Sequence, residues 1–264
     1  MNLASRLPIL SAPLFKKGYL SRALGVQPGY MIQAFRFDEA SGTTANSVKK
    51  TNNDGSFESQ GGGNFAYRQA GPAGTYAIHL DGVNVCIDMI NKAGNTFATD
   101  WNGDLYSAIC WMKVDSAAQW TDANVRYGWH VRSNLDDTYY TVMGKFSDNH
   151  KLFWRRRTGL ITEQSYTFSP AGPLDWFCMG IAFNQSAPLL DFYLWTSALG
   201  FKKLTSSTSA NLTAWGNNPP GISKAVIGAG SWASQEWIGY HSLTITWAGI
   251  KLSDAEMRRA MTPT

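Results

Sequence analysis

The stretch that decides the fold is KAVIGAGSWASQEWIGYHSLTITWAGIKLSDAEMRRA, residues 224–260. Its first seven residues are a short apolar run that stops at glycine, the mark of a strand running into a turn. Residues 238–250 then alternate apolar and polar side chains with period two, as a strand buried on one face requires. From Ser253 the pattern changes to a helix start. Ser253 stands three residues before Glu256 at capping-box spacing, with acids early and Arg258 and Arg259 late, each on the favourable side of the helix dipole.

Working outward, the same period-two runs recur between clusters of Gly, Asn, Asp and Pro, which predicts an all-β chain. Strands are expected over 31–38, 75–80, 84–89, 104–114, 125–133, 138–144, 150–157, 175–184, 189–195, 224–229 and 238–250, and a helix over 252–260. Hydrophobic residues make up 44% of the 264 residues and charged residues only 16%, so the chain can bury a sizeable core. No apolar run approaches the roughly 20 residues that cross a bilayer as a helix.

Five segments, in order, resemble laminin-G-like modules of the concanavalin A-like lectin/glucanase superfamily. FRFDEASGTT at 35–44 is similar to the family's opening W-x-F-D-E-G-S-G-T-T, and AIHLDGVN at 77–84 to A-L-x-F-D-G-V-D-D-Y. YSAICWMK at 106–113 resembles F-T-I-S-A-W-V-K, and DWFCMGIAFN at 175–184 stands where the family has W-H-H-V-A-L-T-Y-D. The 224–260 stretch resembles the closing strand, the F-x-G-x-I-D-D-V-R-I-Y strand and the A-L-S-D-x-E-I helix. The resemblance implies a jelly-roll sandwich of two antiparallel sheets over 31–264, with an extended N-terminal arm and a short C-terminal helix. Two departures matter: Y-V-D-G is YLWTSALG at 193–200, and D-D-V-R is SLTI at 242–245, so carboxylates that hold calcium in some modules are partly missing. Calcium at Asp81 and Asn84 is the weaker reading of a pair that is first a turn signal. No cofactor is expected.

Charge divides the chain into two parts. Residues 1–30 contain Arg6, Lys16, Lys17 and Arg22 and no acid, so the formal net charge of +4 belongs to this segment. Pro8, Pro13 and Pro28 break it against a continuous helix, and two of them make residues 7–15 a poor secretory signal. The expectation is a docking arm over 1–30. Leu7, Ile9, Leu10, Leu14 and Phe15 would anchor it in a partner subunit, and the four cations would face an acidic surface. Nucleic acid is not expected, because four charges make a small phosphate footprint and the remainder is neutral.

Cys86, Cys110 and Cys178 fall in predicted strands without Cys-x-x-Cys spacing, which reads as buried free thiols in a protein assembled in a reducing compartment. Retaining glycanases of the superfamily carry an E-x-D-x-E type strand; none is present here, and no Gly-x-Ser-x-Gly elbow. Asp38, Glu39, Asp136, Asp137, Asp175, Asp254 and Glu256 read as turn, cap or surface acids, so no catalysis is expected. The 11 tryptophans divide into a strand group, including Trp111 and Trp247, and a loop group. In the loop group, Trp215 with Asn217 and Asn218, Trp232 with Gln235, and Trp237 offer indoles for stacking on sugar and amides for hydroxyls. The alternative is packing under loops or against neighbouring subunits. HKLFWRRRTG at 150–159 places cations on both faces of a strand, expected at a sheet edge.

The expected function is a non-catalytic structural and adhesive component of a larger assembly, a phage virion at its head, tail or fibre, assembled in the host cytoplasm. The alternatives are a free or cell-surface carbohydrate-binding protein, secreted or surface-bound, and a polysaccharide-cleaving enzyme.

Overall fold

A computed structural model of the chain describes residues 18–48, 53–59, 62–133, 139–147, 150–158, 160–186, 189–208, 222–230 and 235–263. The strands form two antiparallel sheets of eight. The first runs β14 (Gly200–Thr208), β13 (Leu189–Thr196), β12 (Phe177–Asn184), β7 (Leu105–Val114), β16 (Gly239–Ala248), β5 (Tyr76–Leu80) and β4 (Phe65–Ala70). β1 (Met31–Phe35) pairs with the second half of β16. The second sheet runs β11 (Leu160–Thr167), β10 (Lys151–Thr158), β9 (Tyr139–Lys145), β8 (Arg126–Ser133), β15 (Ile222–Ile227), β6 (Val85–Asp88), β3 (Gly55–Ser59) and β2 (Thr44–Ala45).

Alternation decides which side chains fill the space between the sheets. Along β7, Tyr106, Ala108, Cys110 and Met112 face inward and meet Trp129, Met143 and Trp154 of the second sheet. Ile109 and Trp111 point the other way and join Cys178, Leu243, Ile245 and Trp247 on the outer face of the first sheet. That face is apolar and needs a cover. Two helices supply it, α1 (Gly18–Leu24) and α3 (Asp254–Met261), while the single turn α2 (Phe97–Asp100) sends Phe97 into the core between the sheets. The capping box is formed: Ser253 Oγ accepts from the Glu256 amide, and the Ser253 amide donates to Glu256 Oε2 at 2.8 Å.

Helix α1 corrects the expected boundary at residue 30. Tyr19, Ala23 and Val26 are buried against the outer face of the first sheet. The Trp111 indole donates to the Tyr19 hydroxyl at 2.6 Å, and that hydroxyl donates to the Ala260 carbonyl at 2.9 Å. Trp247 Nε1 donates to the Val26 carbonyl at 2.9 Å. Residues 18–30 are thus structural members of the sandwich. The apolar spacing of residues 19, 23 and 26 carried this information, but the flanking prolines masked so short a periodic run.

The second correction concerns β10, which lies between β9 and β11 rather than at an edge. Its arginines divide by face. Arg155 points outward and pairs with Glu163 at 2.7 Å. Arg156 points inward and is fully buried, with its guanidinium hydrogen-bonded to the Gly103 carbonyl and paired with Asp104 at 3.1 Å. Burial pulls its pKa below the ordinary arginine value, and the neighbouring Tyr106 and Asp104 only partly offset it.

Candidate functional site

Three described loop segments meet at one rim of the sandwich around an open cleft of about 430 Å3. Three segments build it: the turn after β5, the loop leading into β8, and the segment between β15 and β16. Gly82, Asn124, Arg126, Gln235, Glu236 and Ile238 are among its walls.

Each segment is held from below. In the turn after β5, Asp81 accepts from the Val83 amide at 2.9 Å and from the Asn64 amide at 2.7 Å. Gly82 and Asn84 adopt left-handed φ values of 73° and 53°, which an Asp-Gly turn accommodates with little strain. Both Asp81 oxygens thereby serve the turn. Asp122 grips Arg126 and Lys145, each at 2.6 Å. Burial raises the Asp122 pKa, but hydrogen bonds from Lys145 and Arg126 outweigh it and hold the carboxyl below the usual range. Arg126 in turn donates to the Glu236 carbonyl at 2.7 Å, and the Tyr127 amide donates to the Gln235 carbonyl at 2.9 Å. On the other side of residues 231–234, the Gly230 carbonyl meets His130 Nδ1 at 3.1 Å. The cleft floor is therefore tied to β8 by charge-assisted bonds. Glu236 Oε1 is shielded from solvent and has no hydrogen-bond partner among the described residues.

Of the tryptophans expected to stack on sugar, Trp237 is fully buried, and that expectation is corrected. Its indole donates to the Lys113 carbonyl at 3.2 Å, and its ring packs against Phe177 and His241. The reason is alternation: Glu236 and Ile238 face the cleft, so Trp237 between them faces the core. Trp215, Asn217, Asn218 and Trp232 lie outside the described residues, although Gly230 and Gln235, which flank the Trp232 segment, are placed at the rim. Trp120, a loop residue by sequence, is also buried and donates to the Pro173 carbonyl at 2.9 Å. Trp111 and Trp247 are buried as expected. Gln235, the amide expected beside Trp232, lines the cleft, whereas Asn124 and Glu236 were missed; the turn composition before β8 was the one available signal for Asn124.

Of the docking-arm residues, Arg6, Leu7, Ile9, Leu10, Leu14, Phe15, Lys16 and Lys17 lie outside the described residues. Arg22 lies in α1, where it donates to the Thr262 carbonyl of its own chain at 2.6 Å.

The acids weighed for catalysis are engaged locally. Asp38 pairs with Arg36 at 2.6 Å, and Glu39 accepts from the Asn46 amide at 2.6 Å. Asp175 accepts from the Trp176 amide, Asp254 from Tyr193 and Lys203, and Glu256 closes the capping box. Asp136 and Asp137 lie outside the described residues. Among the described residues no three His, Cys, Asp or Glu side chains converge as a metal site would require. The three cysteines are free and buried. Cys110 lies 3.4 Å from His241 Nδ1, but burial pushes the thiol up to about 12 and the imidazole down to about 3. Both groups are neutral at pH 7 and closed off from substrate.

No protein-family model matches the chain, and no curated protein matches it. Solved structures do. Domain 4 of an extracellular arabinanase from Geobacillus stearothermophilus, in complex with arabinotriose, superposes with a TM-score of 0.57 at 12% identity. That match covers 87% of this chain and 96% of the other. The botulinum neurotoxin serotype D binding domain matches with a TM-score of 0.59 at 10% identity over 88% of this chain, which spans about half (51%) of the toxin chain. The CBM40 domain of a Ruminococcus gnavus sialidase, bound to α2,3-sialyllactose, matches with a TM-score of 0.52 at 7% identity, covering 67% of this chain and 91% of that one. These likenesses establish a shared β-sandwich fold. The laminin-G resemblance accordingly rests on that fold and on the quoted motifs, not on a family match.

Proposed function

We propose that this chain is a non-catalytic carbohydrate-binding domain that holds a glycan at the loop rim. The observation that carries the reading is the open cleft between the turn after β5, the loop before β8 and residues 235–238. Its walls present the Asn124 and Gln235 amides, the Glu236 carboxylate and apolar surface from Ile238, the mixture that fixes hydroxyls while sheltering C–H faces. The Asn124 and Gln235 side-chain amides each offer a donor and an acceptor to sugar hydroxyls. Trp232, three residues before the cleft residue Gln235 in the chain, is the proposed stacking indole. Structural neighbours with bound arabinotriose and sialyllactose support glycan binding as a use of this fold. The local engagement of Asp38, Glu39, Asp175, Asp254 and Glu256 supports a binding role over hydrolysis.

The test is an oligosaccharide array followed by calorimetry on the positive ligands. Asn124→Ala, Gln235→Ala and Trp232→Ala should each weaken binding while leaving the melting temperature near that of the parent. An array without a single bound oligosaccharide, or affinities indifferent to all three changes, overturns the reading. Reproducible release of oligosaccharide fragments overturns its non-catalytic part.

The assembly role is the second reading, and a covalent fact favours it. Residues 1–17, with their apolar and basic side chains, join the sandwich at a helix packed on its outer face. Docking through these residues would attach the whole domain to a partner, in a virion or on a cell surface. Loss of assembly on deleting residues 1–17 supports this, and normal incorporation of the truncated chain refutes it.

A further inference from the structure

The outer face of the first sheet carries a second cleft, of about 530 Å3, away from the loop rim. Arg22 of α1, Arg258 and Arg259 of α3, Thr262 after it, and Trp195 and Phe201 of the β13–β14 hairpin line it. Trp195 and Phe201 are directly opposite in the strand register, so both rings stand on the same face of the sheet. Both are half-buried. Trp195 leans on Trp111 with ring centroids 5.0 Å apart, and Arg258 lies 4.5 Å from the centre of the Phe201 ring.

The charge in this cleft is of one sign. No carboxylate lines it, and the acids of the first turn of α3 are committed elsewhere: Asp254 to Tyr193 and Lys203, Glu256 to Gln27 and its cap. Arg22 uses one nitrogen on the Thr262 carbonyl. Arg259 makes no hydrogen bond or ion pair among the described residues, and Arg258 makes only its ring contact. Three guanidinium groups around one concavity repel each other, and the concave wall concentrates their field on whatever enters. The planar guanidinium fork matches the paired oxygens of a carboxylate or sulfate better than any neutral group. Aromatic walls add what a bare hydrated ion does not use, a surface for the C–H face of a ring. The volume lies in the range of small-ligand sites rather than of extended peptide grooves.

We propose that this cleft binds an acidic monosaccharide unit, its oxyanion held by Arg258 and Arg259 and its ring set against Trp195. The proposal stands on this cleft alone and does not depend on the rim site.

The test titrates the full chain with glucuronic acid, N-acetylneuraminic acid, glucose 6-sulfate, glucose and inorganic sulfate, read by saturation-transfer NMR and calorimetry. A glutamate-rich peptide is titrated alongside. The acidic sugars should bind, glucose should not, and added salt should weaken binding. The order of glucuronic acid and glucose 6-sulfate tells carboxylate from sulfate. Arg258→Gln and Arg259→Gln should each reduce affinity about tenfold or more, the loss of one charge-assisted contact. Arg259 has no partner whose loss could unfold the chain, so its variant keeps the test valid. The proposal is overturned if no acidic sugar binds, if glucose or inorganic sulfate binds as tightly as the acidic sugars, or if the double variant retains full affinity. Arginine-dependent binding of the peptide without the sugars overturns it in favour of an acidic protein partner.

Discussion

Tyr19 distinguishes an N-terminal segment that belongs to the sandwich from one that merely hangs from it. Its side chain is 2% exposed, and its hydroxyl sits between the Trp111 indole N–H at 2.6 Å and the Ala260 carbonyl at 2.9 Å. Tyr19→Ala removes the ring and leaves a cavity beneath α1, a loss of about 3–5 kcal/mol for a buried aromatic. For a chain of this size that lowers the melting temperature by about 6–20 °C, at about 2–4 °C per kcal/mol. Tyr19→Phe separates the two contributions. It keeps the ring but leaves the buried Trp111 N–H without an acceptor, which costs about 1–3 kcal/mol. The assay is thermal and urea unfolding followed by tryptophan fluorescence, with Trp111 itself among the reporters. Wild-type unfolding of Tyr19→Ala would refute the reasoning and return residues 18–30 to the status of a detachable arm. Equal losses in the two variants would show that the hydroxyl, not the ring, holds the helix.

Acid should destabilise the fold through His241. Its folded pKa is depressed from 6.5 to about 3 by burial, so below about pH 6.5 the unfolded chain takes up a proton that the folded chain refuses. Stability from this group is full above that pH and falls by about 1.4 kcal/mol per pH unit down to about pH 3. His241→Leu should flatten that limb in unfolding measured between pH 7 and 4; an unchanged slope counts against it. Arg156→Leu should destabilise by about 1–3 kcal/mol, the cost of leaving its buried hydrogen-bond partner unpaired, since Asp104 is partly exposed and can be hydrated. If denaturant unfolding shows less than about 1 kcal/mol, the Gly103 carbonyl has found water in its place as well. Deleting residues 1–17 should leave the unfolding midpoint intact, whereas deleting 1–30 should lower it by more than Tyr19→Ala does, since Val26 is lost as well.

The sequence carried the interior of the sandwich and lost its margins. Eleven expected strands correspond to β1, β5–β10, β12, β13, β15 and β16. The strands not foreseen are β2, β3, β4, β11 and β14, which include the two end strands of each sheet's order, whereas apolar β1, paired with β16 alone, was foreseen. An edge strand has one ladder partner, so its sequence is free to be polar: LITEQSYT of β11 and FAYRQA of β4 lack the apolar density that marks a central strand. At the candidate site, the Asp81-Gly82 turn was legible because turn chemistry is local. The cleft was not, because Asn124 and Gln235 are distant in sequence and meet only when β8 and β16 take their places.

What the sequence alone determined was therefore what depends on near neighbours. That includes the period-two strands, the capping box at Ser253 and Glu256, and the turn at Asp81. It also includes the alternation that sets Trp111 on the face opposite Cys110 and Met112, although the cover that buries it came from the helices. Tertiary structure decided everything that depends on which face a residue presents and what lies opposite. It turned Trp237 inward between two cleft residues, and it buried Arg156 where an edge charge was expected. It folded residues 18–30 onto the outer sheet because an apolar face holding Trp111, Ile245 and Trp247 had no other cover. And it brought Arg22 to Arg258 and Arg259, more than two hundred residues away in the chain, because α1 and α3 share that face. Local pattern is written in steps of two to four residues. Long-range burial is a competition for cover, and only the assembled sheets decide its outcome.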